Sequence, residues 1–147
     1  RFHNMPRYEV SNHATYGSES RHNKIYWRYG DYVGIGPGAH GRLTLGGKRT
    51  ATDQRRMPAA WLSGDHRERH EVLSGKDQAV EFLMMGLRLA GGIELARYER
   101  LAGVPLPVHR IRELVDMGLL QTSNSHISVT NQGFTLLNGV LRMLLDD

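Results

Sequence analysis

Residues 8–41 form the most informative segment of the chain and have the sequence YEVSNHATYGSESRHNKIYWRYGDYVGIGPGAHG. Residues 5–11, at the start of this stretch, predict a short strand entered through a proline. Residues 16–30 mix glycine, serine, charged and aromatic residues without a clean period, which predicts a loop with at most one helical turn. Residues 32–36 favour β structure and lead into a Pro-Gly pair, so we expect a strand that ends in a tight turn.

The rest of the first half predicts a β-hairpin and a short helix. Residues 42–45 and 48–51 alternate around Gly46-Gly47, a pair suited to the positive φ angles of a two-residue turn. A helix is expected over Pro58–Leu62, and the polar stretch 63–74 predicts a linker and a domain boundary. Two or three strands leave open sheet edges, so we expect further strands from elsewhere or pairing with a second copy.

The second half predicts a mainly helical domain. Apolar residues recur there at the i, i+3, i+4, i+7 spacing of amphipathic helices. The expected elements are helices over residues 75–90, 94–102 and from Pro107, strands over 119–121 and 127–129, and a last helix capped by Thr130. This order predicts a winged-helix-like module, and the chain as a whole is expected to be α+β.

Composition and charge narrow the function classes. No stretch approaches the ~18 apolar residues of a membrane span. Residues 1–70 carry 12 Lys and Arg against 6 Asp and Glu, whereas residues 71–147 carry 7 against 9. A winged helix that binds DNA needs positive charge on its recognition helix and wing. The expected module lacks that charge, so DNA binding is the less favoured alternative and no nucleic-acid partner is expected.

The motif His22-Asn23-x-x-Tyr26-Trp27 is the sharpest candidate site. A neutral imidazole ligates iron, and neighbouring aromatic rings pack on a flat ligand. The alternative is a histidine that hydrogen-bonds a loop while the aromatic residues fill a core. A second candidate is the loop that contains Gly34, Gly36, Gly38 and Ala39. Its glycines allow backbone to approach a ligand closely, although a simple turn explains them equally well.

Other histidines and methionines give weaker candidates. Zinc accepts histidine and carboxylate ligands, so a site is conceivable from His3, His13, His22 and His40 with Glu9 or Asp31. The spacing of those residues is long and irregular, which favours solvated or hydrogen-bonded side chains. His66 and His70 lie in a charged stretch typical of a solvated linker. The pair Met84-Met85 is expected to fill a core rather than to ligate a metal.

Three blocks within residues 8–41 carry a family resemblance: YEVSN at residues 8–12, SRHNKIYW at 20–27 and DYVGIGPGAH at 31–40. They resemble the oxygen-independent coproporphyrinogen III oxidase-like radical-SAM proteins, in particular the haem-chaperone branch. Three segments of the second half, residues 79–89, 114–120 and 130–139, resemble the C-terminal domain of the same family. The resemblance extends over essentially the whole chain.

The resemblance implies an architecture and roles for the candidate residues. Residues 1–62 would form the truncated end of a radical-SAM, TIM-like α/β barrel, and residues 63–147 the winged-helix-like C-terminal domain. His22 would be the axial ligand of haem iron, with Asn23 orienting its imidazole. Tyr26 and Trp27 would shape the haem pocket, and Arg21 or Arg28 would pair with haem propionates. The loop containing Gly34, Gly36, Gly38 and Ala39 would line the cavity for S-adenosylmethionine (SAM) and substrate.

The resemblance also implies a function, with two departures from the family pattern. Radical-SAM proteins hold a [4Fe–4S] cluster through three cysteines, and this chain has none. We therefore expect the C-terminal part of a longer cytoplasmic protein whose cluster and SAM are held elsewhere, with no enzymatic activity of its own. The implied function is haem binding and delivery to an acceptor protein, and the alternative is oxidative decarboxylation of coproporphyrinogen III. His13 stands where the family has Phe, and Gly41 where it has Ser.

Overall fold

The computed structural model describes residues 4–63 and 68–145. The chain forms two compact units: the first joins Arg1–Tyr29 with Gly75–Asp147, and the second is Gly30–Ser74. This division by contacts differs from the predicted boundary at residue 62, because Tyr29 is buried in the core of the first unit. The assignment of residues 1–62 to a barrel and 63–147 to a cap stays a prediction.

The described part of the chain contains helices and short antiparallel strands. The helices are α1 (Arg21–Trp27), α2 (Pro58–Leu62), α3 (Gly75–Gly86), α4 (Leu95–Ala102), α5 (Val108–Asp116), α6 (Asn131–Thr135) and α7 (Leu137–Leu145). The strands are β1 (His40–Leu45), β2 (Lys48–Asp53), β3 (Arg69–Val72), β4 (Ile93–Glu94), β5 (Leu120–Ser123) and β6 (His126–Val129).

The second unit is built on an antiparallel sheet in the order β1-β2-β3. The predicted hairpin is confirmed, because β1 and β2 pair around Gly46 and Gly47, whose φ angles are +56° and +76°. Strand β3 pairs with β2, so the prediction of a linker over residues 63–74 is wrong where β3 forms. All four residues of β3 are exposed, which explains why its sequence lacks the alternation that predicts a half-buried strand.

The first unit contains the hydrophobic core and a second antiparallel sheet in the order β4-β6-β5. The core residues come from α3, α5, α7, the sheet, Tyr29 and three leucines that lie between elements, Leu87, Leu106 and Leu119. The most deeply buried of them, at 0% exposure, are Leu83, Leu87, Leu114, Ile127 and Val140. The helical spacing of the sequence finds the part of this core that comes from the helix stripes, including Leu83, Leu87 and Leu114, but it does not find Tyr29, Ile93 or Val140. Gly103 ends α4 at a φ of +76°, as its position after the apolar stripe predicts.

Four elements of the first unit differ from their predictions. Residues 5–11 form isolated bridges, Arg7 with His13 and Glu9 with Leu89, instead of a regular strand. Helix α1 replaces the predicted loop, and α3 ends at Gly86 rather than near residue 90. The predicted last helix is two helices, because Leu136 leaves the helical region with φ −117° and ψ 20°.

No helix within the described ranges is both long enough and apolar enough to cross a membrane.

Candidate functional site

Helix α1 carries the candidate His-Asn-x-x-Tyr-Trp motif. The side chain of Ser20 accepts a hydrogen bond from the backbone N of Asn23 at 3.2 Å, which caps the helix and fixes its first turn. The helix buries none of its residues completely. His22 is exposed, whereas Asn23, Tyr26 and Trp27 are half-buried. The motif is therefore presented at the surface of the first unit and is not part of its core.

His22 and Tyr26 lie one turn apart and contact each other edge to face. Their ring centroids are 4.8 Å apart and their planes make an angle of 82°. The imidazole nitrogens of His22 have no hydrogen-bond or ion-pair partner among the residues that the structure describes. A histidine that hydrogen-bonds a loop was the alternative to a ligand, and that arrangement is not found here. An exposed imidazole with free nitrogens fits what an axial ligand of iron requires.

Trp27 is fixed by a residue that the sequence does not single out. The guanidinium of Arg88 lies 5.4 Å from the centre of the Trp27 ring and donates a hydrogen bond to the carbonyl of Met84. This cation–π contact ties α1 to the C-terminal end of α3. The Trp27 Nε1 atom is buried and has no hydrogen-bond partner among the described residues. Arg88 follows the apolar stripe of α3, so only three-dimensional proximity links it to the motif.

Two further contacts hold the end of α1 in place. The Tyr29 hydroxyl donates a hydrogen bond of 2.8 Å to the Glu81 carboxylate, and its ring packs 6.3 Å from that of Phe82. A guanidinium nitrogen of Arg97 donates to the carbonyl of Arg28 at 3.1 Å. The backbone that carries His22 is thus supported by side chains of α3 and α4.

The loop that contains Gly34, Gly36, Gly38 and Ala39 lies in the second unit. Gly36 and Gly38 have φ angles of +104° and +71°, which side chains of L residues rarely adopt. A Cβ atom on Gly34 would lie 2.3 Å from the carbonyl oxygen of His40, so this glycine is required by close backbone packing. Ala39 is half-buried, and its N–H donates to the carbonyl of Gly36 at 3.1 Å.

A cleft of about 400 Å³ adjoins the loop. Its lining includes Gly34, Gly36 and Ile35, the last 83% exposed, together with Trp61 of α2. Gly38 and Ala39 do not line this cleft. The tight turn that was predicted after residue 36 is present, and backbone on one side of it is open to a ligand. The strand predicted over residues 32–36 is wrong, because only Tyr32 pairs there, in an isolated bridge with Arg42.

Gly41 and His13 are the two residues that depart from the family pattern. A Cβ atom on Gly41 would lie 2.5 Å from the Thr52 hydroxyl oxygen, so a serine there needs a shift of β2 or of that side chain. His13 is exposed, and its Nδ1 lies 3.3 Å from the carbonyl oxygen of Met5. Gly41 therefore reflects local packing in this chain.

The alternative zinc site has no counterpart in residues 4–63 and 68–145, where no group of three or more His, Cys, Asp or Glu side chains is arranged to hold a metal. His3 and His66 lie outside the described residues. His40 instead contacts Asp53, with Nδ1 2.5 Å from a carboxylate oxygen, and His70 contacts Glu68 at 3.0 Å. Met84 is 38% exposed, so the prediction that it fills the core is wrong.

The expected recognition helix, α5, uses one of its two arginines inside the fold. Arg110 donates a hydrogen bond of 3.1 Å to the carbonyl of Met143, near the C-terminal end of α7. The turn that would be the wing, between β5 and β6, contains no Lys or Arg. These features give DNA binding no support from the first unit.

Comparisons with known proteins all find similarity to HemN or HemW proteins. Residues 73–136 match the HemN C-terminal domain. The chain is 37% identical over 145 residues to the heme chaperone HemW of Lactococcus lactis and 32% identical over 142 residues to that of Escherichia coli. Each of these matches covers 95% of this chain and 38% of the relative.

A solved structure has a similar fold: the coproporphyrinogen III oxidase HemN from Escherichia coli, a radical SAM enzyme. The TM-score is 0.57 at 14% identity, over 90% of this chain and 35% of that chain. The mixed α/β fold with small antiparallel sheets is thus that of a HemN-like C-terminal region. Residues 73–136 thus match the HemN C-terminal domain, the chain is similar to heme chaperones over 95% of its length, and it spans about 38% of the length of the curated relatives named above.

Proposed function

We propose that this chain binds haem through His22 and belongs to a protein that delivers haem to an acceptor. The observation that carries the proposal is the exposed His22 imidazole, free of partners among the described residues, on a capped helix beside Tyr26. The similarity to heme chaperones over 95% of the chain supports it. Haem is the cargo in this proposal and supplies an iron atom with an open axial position.

The neighbouring residues have distinct roles in the proposed site. Tyr26 holds the imidazole plane by its edge-to-face contact, and Trp27 shapes the pocket while Arg88 stacks on its ring. Asn23 lies in the capped first turn, where its backbone N donates to the Ser20 side chain, and in this proposal its side chain orients the His22 imidazole. Arg21 is exposed and has no partner among the described residues, so it is available to pair with a propionate.

The remaining family assignments are proposals for a longer protein. The chain contains no cysteine and supplies no thiolate to a [4Fe–4S] cluster, so no step of radical-SAM chemistry is derived from its residues. SAM near the loop of Gly34, Gly36, Gly38 and Ala39, the barrel-end and winged-helix assignments, and the cytoplasmic location rest on the family resemblance. Dimerisation through open sheet edges is likewise only a prediction.

A haemin titration followed in the Soret band tests the proposed ligand. We expect saturable binding by the wild-type chain and at least about tenfold weaker binding by His22→Ala, because the axial bond is lost. His109→Ala, which changes an exposed histidine of α5, is the matched control and should bind as the wild type does. Equal binding by all three proteins would remove His22 from the proposal.

The alternative function is oxidative decarboxylation of coproporphyrinogen III, which is favoured by the fold similarity to HemN. The two readings differ in what the intact parent protein does with porphyrin. Conversion of coproporphyrinogen III that continues in a parent carrying His22→Ala would support the oxidase. Absence of conversion together with His22-dependent transfer of haem to an apoprotein would support the chaperone.

A further inference from the structure

The first unit contains a cavity that His22, Tyr26 and Trp27 do not line, and Arg28 is the one lining residue that was considered above, as a partner for haem propionates. Its volume is about 490 Å³, within the range of small-molecule sites. Its walls come from residues 6–8, from α1 and the segment before it, and from the turn after α3. The cation-bearing residues of the lining are Arg7, Lys24 and Arg28, and the carboxylate is Glu19. His22 does not line the cavity.

The charges of the lining do not cancel. Lys24 pairs with Glu19 at 3.0 Å, and this hydrogen bond lowers the pKa of Glu19, so the only lining carboxylate is already matched. Arg28 is exposed, and its guanidinium has no hydrogen bond or ion pair with any residue that the structure describes. The Arg7 guanidinium lies 5.0 Å from the centre of the Phe134 ring and has no acidic partner within the same residues. Two arginines therefore remain without a counter-charge.

The floor of the cavity includes a backbone turn that only glycine fits. Gly92 has a φ of +65°, and a Cβ atom there would lie 1.9 Å from the carbonyl oxygen of Ile127. Gly91 is exposed, and a Cβ atom on it would meet nothing within 4 Å. This wall thus offers open backbone beside the two arginines. Tyr16, at the cavity and 82% exposed, adds an aromatic surface.

We infer that this cavity binds a small multivalent oxyanion, a phosphate ester or a polycarboxylate, through Arg7 and Arg28. Guanidinium groups bind both anions with paired, charge-assisted hydrogen bonds, and two of them without counter-charges favour a ligand with more than one negative charge. The site is separate from His22 and does not depend on haem binding.

Calorimetric titration of the whole chain at low ionic strength tests this site, with pyrophosphate and citrate as probes. Low salt is needed because exposed charges are screened. We expect saturable binding of at least one probe, weakened about tenfold by Arg28→Glu. Arg112→Glu makes the same charge change on an exposed residue of α5 outside the cavity and should leave the affinity within about twofold. Preference for pyrophosphate or for citrate identifies the phosphate or the carboxylate class.

A conservative variant, amide NMR shifts and a His22 variant test whether the probe binds in this cavity. Arg28→Lys keeps the charge but loses the planar fork, and should bind with intermediate affinity if the fold is intact by circular dichroism. The probe should shift the amide resonances of Gly91 and Gly92 and leave those of Gly46 and Gly47 unchanged. His22→Ala should bind the probe as the wild type does. Absence of binding, equal weakening by both charge reversals, or competition between probe and haemin would overturn the inference.

Discussion

Asp31 organises the start of the second unit through one carboxylate. It accepts hydrogen bonds from the Thr44 backbone N at 2.8 Å and from its hydroxyl at 2.9 Å, and it pairs with Arg49 at 2.6 Å. Arg49, 8% exposed in its side chain, also donates to the carbonyl of Gly30 at 3.0 Å. Partial desolvation raises the pKa of Asp31, but the hydrogen bonds from Thr44 and the Arg49 charge outweigh it and leave the pKa lowered.

Asp31→Asn should destabilise the second unit by about 1 kcal/mol at neutral pH, a modest value because the carboxylate is 44% exposed. A depressed folded-state pKa stabilises the fold above the unfolded pKa of about 3.9, and that contribution is lost as pH falls through the folded value. Wild type and variant should therefore converge in acid. Urea unfolding followed through the amide signals of β1 and β2 at neutral and acidic pH measures this.

The control for this prediction is Asp116→Asn, which changes an exposed carboxylate of α5. It should leave the unfolding of β1 and β2 unchanged at both pH values. A difference between wild type and Asp31→Asn that stays constant with pH would contradict the assigned role of the carboxylate.

The sequence identifies the residues of the His-Asn-x-x-Tyr-Trp motif, but it does not identify the side chains that hold this segment in place. The resemblance to the haem-chaperone branch singles out His22, Tyr26 and Trp27, and the spacing of four residues between His22 and Tyr26 brings their rings together on a helix. Glu81 of α3 and Arg88, in the turn after α3, contact this segment from more than 50 positions along the chain. Their contacts arise from tertiary packing, and neither residue type nor local spacing indicates them.

Among the elements, the turn between α3 and β4 has the strictest steric requirement. Gly92→Ala should destabilise the first unit by about 3 kcal/mol or more, because the new methyl group would overlap the Ile127 carbonyl at a strained positive φ. Gly91→Ala adds the same methyl group in open space and is the matched control. Thermal unfolding followed by circular dichroism should separate the two. Equal melting temperatures would show that β6 moves away at little cost.

The elements that the sequence predicted well are those with local signals. The hairpin follows from Gly46-Gly47, and α2 begins at a proline in its first turn, as expected over Pro58–Leu62. The break at Leu136 has no such signal, since the apolar stripe continues from α6 into α7. Strand β3 is likewise set by its pairing with β2, which is a non-local interaction.

Across the whole molecule, stability is concentrated in the first unit. Every residue of the main hydrophobic core lies there, whereas the second unit buries Ala51 together with the polar Arg49, Thr50 and Thr52 on β2. Regions with few buried apolar contacts open at lower free energy. We therefore expect the amides of β1 and β2 to exchange with solvent faster than those of α3 and α7.

Leu83→Ala tests this difference in stability between the two units. Leu83 is 0% exposed, so the substitution should cost about 2–5 kcal/mol and speed amide exchange in α3, α4 and α7, with no change in β1 and β2. Val108→Ala changes a side chain that is 64% exposed and serves as the control. Hydrogen exchange detected by mass spectrometry gives both results, and uniform acceleration over the whole chain would contradict two separate units.

The first unit is formed by two segments that are separated in sequence by the second unit, and this affects the order in which the elements can fold during translation. Helix α1 and Tyr29 are synthesised before the second unit, whereas their partners Glu81 and Arg88 follow it. At elongation rates of about 5–20 residues per second the delay is about 3–10 s. The continuous segment 30–74 is complete within that interval. The nascent chain therefore makes its hairpin first, and the helix that carries His22 waits for its anchors until the C-terminal half emerges.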